Sequence, residues 1–329
     1  MGAPSIALTS LKIRDFRGIN SLDLDLKGPD GLPNRLVVLG GANGGGKTTV
    51  LEAAFLVLGG RGDLVTGAVG QDAVRRGAED FLIEAEAKIA EGSGLLPFDH
   101  PLAMNSSSGS RSPLHPDLFE YFTSWRAPSL VGSVDPTVGK RGRKPAETDH
   151  NRLLNVKQRL VNAAAIERFE AQPASPSYTE IKSAIDQAWR TFHPGQGQSF
   201  DVEIARGSEE DGGSFDVFLK SPGEPSPLSV DLLSSGQLEL FLFLGSLALA
   251  GNRPGVIFID EPELHLDPQW HRALVRTLLF LRPTAQFMLA THSPEVFAEA
   301  KSYERHFLVP ADDPRATAWA NAVPARNGA

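Results

Sequence analysis

The sequence contains no cysteine and no apolar run long enough to cross a bilayer. None of its 329 residues is Cys, which excludes disulfides and cysteine-based zinc sites and leaves packing as the source of stability. The longest apolar run, from Leu238 to Ala250, is interrupted by Glu239 and Ser246 and is shorter than the roughly 20 residues of a membrane-spanning helix. The first residues lack the charged and apolar regions of a signal peptide. We therefore expect no membrane span and a cytoplasmic location.

An excess of positive charge is also lacking. The 32 Lys and Arg residues are outnumbered by 40 Asp and Glu residues, which gives a formal charge of -8 at pH 7. A surface coated with phosphate-neutralising cations is thereby excluded, so nucleic-acid binding would require a local basic patch. The shares of hydrophobic residues, 41%, and charged residues, 22%, are typical of a globular protein with a sizeable core.

The order of strand and helix patterns predicts an α/β fold. Partial alternation from Ile6 to Ile19 and strict alternation from Leu22 to Leu26 predict half-buried strands. The continuous apolar run from Leu36 to Leu39 predicts a strand inside a central sheet. Neither predicted helical stretch sustains the heptads of a coiled-coil arm. Further strands are predicted at 81–89, 121–125, 200–204 and 215–219, helices at 149–170 and 177–192, and a loop at 92–116.

A glycine-rich segment between the Leu36 strand and a predicted helix from Thr49 to Leu58 fits the phosphate-binding P-loop pattern. Its glycines let successive backbone N–H groups turn towards phosphates, Lys47 neutralises the β and γ charges, and Thr48 offers a hydroxyl to Mg2+. A chance Lys-Thr in a glycine-rich turn does not explain the flanking strand and helix. We therefore predict ATP and Mg2+ as cofactors. The predicted nucleotide-binding residues are Gly41, Asn43, Gly44, Gly45, Gly46, Lys47, Thr48 and Thr49.

The segment Val256-Ile-Phe-Ile-Asp-Glu-Pro262 places two adjacent carboxylates after a predicted buried strand. Ligands gather at the C-terminal ends of strands in α/β sheets, so we interpret this segment as a Walker B motif. Asp260 is predicted to hold Mg2+ together with Thr48, and Glu261 to orient and deprotonate the attacking water. An acidic helix start is the alternative interpretation, but it does not account for the preceding apolar residues.

With three later segments, these motifs resemble those of the RecF/SMC-like ABC ATPases, which include the ATPase parts of OLD-type and related phage-defence proteins. The segment Leu233-Ser-Ser-Gly-Gln237 resembles the family's signature motif, and Leu264-His-Leu-Asp-Pro268 resembles its D-loop. The apolar segment from Phe287 to Thr291 is followed by His292, at the place of the family's switch histidine. The resemblance covers both ends of the chain and the order of the motifs, but not the middle.

This resemblance implies a homodimer with composite ATP sites. In the family, the signature motif of one subunit contacts the γ-phosphate held by the P-loop of the other, which assigns Ser235 and Gly236 to nucleotide binding. It also implies that Asp267 lies at the dimer interface and that His292 senses the γ-phosphate, so that the predicted catalytic residues are Glu261, His292 and Lys47. From the residues alone, a helix N-cap formed by Ser234 or Ser235 stays an open alternative for the signature segment.

Two further features leave alternatives open. The segment Phe16-Arg17-Gly18 resembles the strand that opens these heads, and Arg17 either approaches phosphate or is an ordinary surface arginine. The family's Q-loop glutamine is not assignable, because Gln71 lies in a plausible region and Gln158 is a weaker choice; this departure leaves the coupling to a partner undefined.

The predicted architecture is an α/β P-loop NTPase of the ABC-ATPase type. We expect a mixed central sheet, an N-terminal antiparallel β lobe and a small helical insertion. The predicted segments are residues 1–91 with Walker A, a loop and helical insertion at 92–198, a half with the signature, Walker B, D-loop and switch histidine at 199–310, and a tail at 311–329.

Three functions are compatible with these motifs. The first is an ATPase of DNA repair or anti-phage defence that closes over DNA or activates a separate effector, such as a nuclease. Lys140-Arg-Gly-Arg-Lys144 is its local basic feature, although a solvated loop explains that segment equally well. Because we recognise neither a metal-binding His cluster nor room after His292 for a Toprim domain, we expect any cutting to belong to a partner. The second function is an energy-coupling subunit of a membrane transporter. The third is a scaffold that binds ATP without turnover, and the intact Lys47, Asp260 and Glu261 disfavour this third function.

Overall fold

The computed structural model describes residues 6–90, 98–108, 112, 114–115, 118–124, 130–136, 152–169, 176–204 and 214–308. The basic segment 140–144 and the predicted tail 311–329 lie outside these ranges. The chain divides into two compact units. The first unit comprises Met1–Ser124, Asn252–Leu264 and Pro283–Ala329, and the second comprises Trp125–Gly251 and His265–Arg282. The four segments expected from the sequence stay a prediction.

Strands and helices alternate along the described chain much as the sequence patterns predict. Most predicted strands and helices lie within a few residues of an observed one. In chain order the elements are β1 (Ile6–Phe16), β2 (Ile19–Asp25), β3 (Leu36–Gly40), α1 (Lys47–Val57), β4 (Leu82–Ile89), β5 (Phe98–Asn105), β6 (Phe119–Phe122), α2 (Arg152–Phe169), α3 (Tyr178–Phe192), β7 (Ser199–Ile204), β8 (Phe215–Lys220), β9 (Leu228–Ser229), α4 (Ser235–Ala250), β10 (Gly255–Asp260), α5 (His271–Leu281), β11 (Ala285–Thr291), α6 (Pro294–Glu299) and β12 (Arg305–Phe307).

The first unit contains two sheets. One has the strand order β2-β1-β4-β5 and antiparallel pairings, and it forms the predicted N-terminal β lobe. The other has the order β12-β3-β11-β10-β6 with parallel pairings. The predicted α/β fold class is confirmed, and the parallel and antiparallel pairings are divided between separate sheets.

Strand β5 corrects the prediction of a loop at 92–116. It pairs with β4 and lies at the edge of its sheet. From Pro101 to Met104 the residues alternate between exposed and buried: Pro101 and Ala103 are exposed, and Leu102 and Met104 are buried. This is the two-residue period of a strand. An edge strand tolerates proline because one side of its backbone needs no partner. Pro101 and the nearby Ser and Gly residues therefore concealed a real strand.

Helix α1 forms the centre of the first unit's core. All of its 11 residues except Thr48 and Thr49 are buried, and a helix that is apolar on every side belongs in an interior. Phe55 packs against Tyr121 of β6 and Phe258 of β10, with ring centroids 5.0 and 5.5 Å apart. The helix also contacts β1, β4 and β5. The helix that follows the P-loop is therefore held between the two sheets.

Gln286 of β11 ties the parallel sheet to the antiparallel one. Its side chain is fully buried. The amide nitrogen donates to the carbonyl oxygens of Leu8 and Asn34 at 3.0 and 2.8 Å, and the amide oxygen accepts the N–H of Leu8 at 2.8 Å. These contacts lie beside the register shift between Leu8 and Ser10 in the pairing of β1 with β4. One side chain thus supplies partners to three backbone groups.

The second unit combines helices α2 to α5 with a small antiparallel sheet of order β7-β8-β9. Helix α3 begins with a capping box, in which Ser177 and Glu180 satisfy each other's backbone N–H groups. An aromatic cluster packs the helices on the sheet: Phe200 of β7 lies 4.9 Å from both Trp189 and Phe241, measured between ring centroids. This unit also carries the signature and D-loop segments.

Replacing Gln286 by leucine is expected to destabilise the protein by about 3 kcal/mol or more, because buried backbone groups lose their hydrogen-bond partners. Urea denaturation followed by circular dichroism measures the free energy of unfolding. The matched control is Gln71→Leu, at an exposed position of the same unit, where a change within about 0.5 kcal/mol is expected. A loss below about 1 kcal/mol for Gln286→Leu would contradict the role assigned to this side chain.

Candidate functional site

Three neighbouring parallel strands end at one edge of the five-stranded sheet. Gly40 of β3 is paired with Thr291 of β11, and Asp260 of β10 is paired with Ala290. The P-loop follows β3, Glu261 follows β10, and His292 follows β11. Because the carboxyl ends of parallel strands share an edge, segments far apart in the sequence meet there.

The P-loop has the backbone conformation that its glycines predict. Gly44 and Gly46 have φ values of 77° and 83°, a left-handed conformation in which a Cβ is unfavourable. Gly46 is the N-cap of α1 and no side chain caps this helix end. The first turn of α1 also has no acidic residue. The free N–H groups and the positive end of the helix dipole therefore form a binding surface for an anion.

Lys47 is buried beneath this loop. It is 5% exposed, and its Nζ atom donates to the carbonyl oxygens of Gly41 at 2.9 Å and Ala42 at 3.1 Å. Nζ also lies 3.3 Å from Nδ1 of His292. The ammonium is thus held at the base of the loop, next to the edge where the strands end.

Opposing electrostatic effects act on Lys47. Burial lowers the pKa of its ammonium, while the carboxylates of Asp260, Glu261 and Glu263 oppose that shift. A buried cation in this position is stabilised by anionic neighbours. Phosphate oxygens would add to the stabilising negative charge around it.

Thr48 and Asp260 bring the two predicted metal-binding groups into contact. The Thr48 hydroxyl lies 3.1 and 3.0 Å from the two carboxylate oxygens of Asp260. Asp260 is only 2% exposed. The structure therefore joins the first residues of α1 to the end of β10, as the motif interpretation requires.

Glu261 and His292 form the other side of the site. Nε2 of His292 lies 3.3 Å from Oε1 of Glu261, and Glu261 has a φ of 50°, which is unusual for a residue with a side chain. Because the Lys47 ammonium can only donate, Nδ1 of His292 must accept, and the proton of a neutral ring lies on Nε2, facing Glu261. Burial, and secondly the charge of Lys47, lower the pKa of His292. The geometry and the electrostatics agree on a neutral ring.

Glu263 is a site residue that the sequence analysis missed. Its Oε1 atom accepts the backbone N–H groups of His292 at 2.7 Å and Ser293 at 3.0 Å. Its Oε2 atom is buried and has no hydrogen-bond partner within the described residues. Glu263 therefore holds the turn that presents His292. The only signal for Glu263 in the sequence is its position soon after the Asp-Glu pair, and this spacing alone does not reveal its contact with the turn at His292.

Arg17 takes neither of the two positions left open for it. Its guanidinium pairs with the fully buried carboxylate of Glu52 on α1 and donates to the carbonyl oxygen of Ala68 at 2.8 Å. Glu52 also accepts the backbone N–H and the hydroxyl of Thr66, at 2.7 and 2.8 Å. Arg17 thus anchors the turn between β1 and β2 to α1. The signal for this pair in the sequence is Glu52, a lone acid within the apolar helix α1.

The predicted signature segment lies in the second unit, at the start of α4. Ser234 is the N-cap and forms a capping box with Gln237, so the capping alternative is correct for Ser234. Ser235, the next residue, is exposed. A Cβ built on Gly236 would lie 2.6 Å from the carbonyl oxygen of His265, which requires glycine there. The signature segment is therefore packed against the start of the predicted D-loop.

Asp267 and the two Q-loop candidates occupy ordinary structural positions. Asp267 caps the short 3-10 turn Pro268–Trp270 and accepts the N–H of Gln269 at 3.0 Å. Gln71 is exposed in the 3-10 turn Gly70–Ala73. The side chain of Gln158 bonds to the Asp135 carbonyl and to Asn162. The interface role of Asp267 and the identity of a Q-loop glutamine stay predictions.

The site of the first unit opens into a cleft of about 510 Å3, a volume typical of small-ligand sites. The structure brings Lys47, Thr48, Asp260, Glu261 and His292 together, while Ser235 and Gly236 belong to the second unit. The cleft is lined by Gly18, Ile19, Asn43, Gly44, Gly45, Gly46, Lys47, Thr48, Thr49, Glu261 and His292.

The sequence matches two family models. The model described as "AAA domain, putative AbiEii toxin, Type IV TA system" matches residues 114–298, more than half of the 329 residues. The chain belongs to this AAA-domain family. A second model, described as "AAA domain", matches residues 10–90 of this AAA-domain protein. The protein is a P-loop ATPase of the ABC/SMC-like type, and membership of this family implies nucleotide binding.

Two curated relatives are similar to parts of the AAA-domain protein. The "Retron Vc95 probable ATPase" of Vibrio cholerae serotype O1 biovar El Tor is 34% identical over 93 residues, which cover 28% of this chain and 18% of the relative. The "OLD nuclease" of Thermus scotoductus is 24% identical over an alignment of 341 positions that covers 93% of this chain and 62% of the relative. The chain thus spans less than two thirds of the length of either relative.

The fold is similar to that of SMC heads. A solved Smc head domain with an extended coiled coil, bound to the C-terminal domain of ScpA from Pyrococcus furiosus, has a TM-score of 0.57 and 14% sequence identity. The match covers 90% of this chain and 92% of that one. At this identity the comparison shows the fold alone. Among the described residues, no helix is both long and apolar enough to span a membrane.

Glu263→Ala is expected to lower ATP turnover by about 10- to 100-fold, because the turn at His292 loses two charge-assisted hydrogen bonds and small misplacements of catalytic groups are costly. Nucleotide affinity, measured with a fluorescent ATP analogue, should stay within about 3-fold, since α1 and the P-loop keep their contacts. Glu263→Gln retains an acceptor oxygen and should recover most of the activity.

The matched control is Glu295→Ala, which removes a carboxylate that accepts the hydroxyl of Ser293 on the same turn. Equal losses of turnover in the Glu295 and Glu263 variants would contradict a specific role for the two N–H contacts.

Proposed function

We propose that this AAA-domain protein binds ATP with Mg2+ in the cleft of its first unit and hydrolyses the bond between the β- and γ-phosphates. The observation that supports it most is the meeting of Lys47, Thr48, Asp260, Glu261 and His292 at one sheet edge, beside an uncapped helix N-terminus. A phosphate cradle, a lysine and a pair of acids are the parts that phosphoryl transfer to water requires.

Magnesium fits the donors present at this edge. The Thr48 hydroxyl and the Asp260 carboxylate are hard oxygen donors already in contact. Within the described ranges, no group of three or more His, Asp or Glu residues could hold a metal by itself, and Mg2+ usually completes its shell with phosphate oxygens and water. Thr48 and Asp260 would hold the ion, whose role is to neutralise charge on the phosphates.

Each remaining residue has a separate role in the proposed reaction. The N–H groups of the P-loop and the Lys47 ammonium bind and orient the phosphates. Glu261 orients the attacking water and accepts its proton, and it lies 3.3 Å from His292 on the same side of the site. His292 presents a neutral ring towards the γ-phosphate position.

We further propose that two copies form a head-to-head dimer in which Ser235 and Gly236 of one copy complete the ATP site of the other. The exposure of Ser235 at the N-terminus of α4 supports this arrangement, because N–H groups at a helix start attract anions. A twofold dimer uses the same surface twice. Each dimer would then contain two equivalent composite sites.

We also propose a role in anti-phage defence or DNA repair, and the similarity to an OLD nuclease and a retron ATPase supports the defence role. In that role the dimer would act on DNA or on a separate effector protein, such as a nuclease. These relatives favour that interpretation over the transporter subunit. Phosphate release measured with and without DNA, on protein whose copurifying partners have been identified by mass spectrometry, tests the assignment. A copurifying integral membrane protein would overturn it.

Glu261→Gln is expected to bind ATP normally but to hydrolyse it about 100-fold more slowly or worse, because the amide cannot accept the proton of the attacking water. In the presence of ATP, this variant should then accumulate as a dimer, which size-exclusion chromatography with light scattering detects. Lys47→Ala is the reference for lost binding. Turnover equal to that of the parent protein would show that another group activates the water.

Ser235→Arg is expected to abolish ATP-dependent dimerisation and turnover while nucleotide binding stays unchanged, because it places a bulky side chain at the exposed start of α4. Ser183→Arg, at an exposed position of α3, is the matched control and should be active.

Mixing Ser235→Arg with Lys47→Ala in equal amounts tests the composite site directly. A mixed dimer pairs one intact P-loop with one intact signature segment, so at least about a quarter of the parental activity should return: a quarter if subunits assort at random, and more if the variants do not form homodimers. Absence of recovery, with mixed dimers shown to form, would contradict sites shared between two copies.

A further inference from the structure

A buried ionic cluster lies in the second unit and has no place in the proposed chemistry. The ammonium of Lys157 on α2 is fully buried and lies 2.5 Å from Asp216 of β8 and 2.9 Å from Asp231. It also donates to the carbonyl oxygen of Gly132. An ammonium has three donors, so each N–H of Lys157 has a partner. Such a centre is rigid, because losing one partner would leave a buried charge uncompensated.

The cluster is connected directly to the signature segment. Asp231 lies in the 3-10 turn Val230–Leu232, which closes with the N–H of Leu233 donating to Val230. Ser234, the N-cap of α4, follows at once. The other carboxylate of the cluster, that of Asp216, accepts the hydroxyl of Ser229, which caps the same turn. Both carboxylates bound to Lys157 thus fix the chain that enters the signature segment.

The rest of α2 supports the same arrangement. A Cβ built on Gly245 of α4 would lie 2.8 Å from Val156, which shows how closely the two helices approach. Arg159 donates to the carbonyl oxygen of Leu249 near the end of α4 at 3.0 Å. Helix α2 therefore holds α4 along its side, while Lys157 holds the segment that precedes it.

We infer that Lys157 is a positioning residue for the signature segment: through Asp231 and Asp216 it sets the place of Ser234 to Gln237 for contact with the nucleotide of a second copy. The inference rests on the composite site proposed above and adds a residue that never touches the nucleotide. Its effect acts on the partner's ATP site, because the signature segment acts there. A loss at Lys157 should therefore be complemented by a subunit with an intact signature.

The decisive variant is Lys157→Met, with Lys182→Met as the matched control. Lys182 forms another Lys-Asp pair in the second unit, with Asp186 at 2.8 Å on α3, remote in sequence from the signature segment. Lys157→Met should bind a fluorescent ATP analogue within about 2-fold of the parent, and its ATP turnover should fall about 10-fold or more, since a displaced binding group loses most of its effect. Lys182→Met should keep its turnover.

Complementation separates positioning from general damage. Mixed with Lys47→Ala, Lys157→Met should regain at least about a quarter of the parental turnover, as Ser235→Arg does, because one composite site is then intact. Mixed with Ser235→Arg, it should regain none, because both signatures are defective. A merely destabilised protein would not give this pattern.

Unchanged turnover in Lys157→Met would overturn the inference. The inference would also be overturned if Lys47→Ala restored turnover to Ser235→Arg but failed to restore turnover to Lys157→Met. If Ser235→Arg is not restored either, the composite-site proposal fails first and the inference with it. Should Lys157→Met not fold, Asp231→Asn, which keeps the shape of the side chain, is the deciding variant, with a smaller loss but the same complementation pattern.

Discussion

The contact between the Thr48 hydroxyl and the Asp260 carboxylate depends on the register of three parallel strands. Gly40 pairs with Thr291 and Asp260 with Ala290, so the P-loop, the acids and His292 leave the sheet together. A shift of β10 by one residue would move Asp260 about 3.3 Å and turn its side chain to the other face. Every residue of these three strands is buried, so the shift would break the close packing on both faces of the sheet. The core thus fixes the site before any ligand binds.

The parts of the site predicted from sequence are those whose geometry is set locally. A strand, a glycine-rich loop and a helix in succession leave little freedom for Lys47 and Thr48, and an apolar strand carries Asp260 to its end. The contacts of Glu263 with His292 and of Arg17 with Glu52 join residues distant in the sequence, and a local pattern marks at most one partner of each pair without identifying the other. Strand β5 was missed for a related reason: its partner β4 compensates for its weak strand composition.

The balance of charge at the site favours a metal-bound nucleotide over a free one. Asp260, Glu261 and Glu263 all act on the pKa of Lys47, so this edge carries more carboxylates than cations. Free ATP would bring further negative charge to these acids, whereas an accompanying Mg2+ reverses the local electrostatics. In the proposed complex, phosphate oxygens would replace the Gly41 and Ala42 carbonyls as partners of the Lys47 ammonium.

Within the second unit, the signature and D-loop segments cannot move independently. Gly236 approaches the His265 carbonyl so closely that no side chain fits between them, and Asp267 follows two residues later. His265 itself has a φ of 63°, a left-handed conformation that is uncommon for a residue with a side chain. The exposed Ser235 and the Asp267 turn are therefore presented as one rigid surface. In the proposed dimer, a second copy that contacts Ser235 would therefore meet the Asp267 turn at a fixed distance from it.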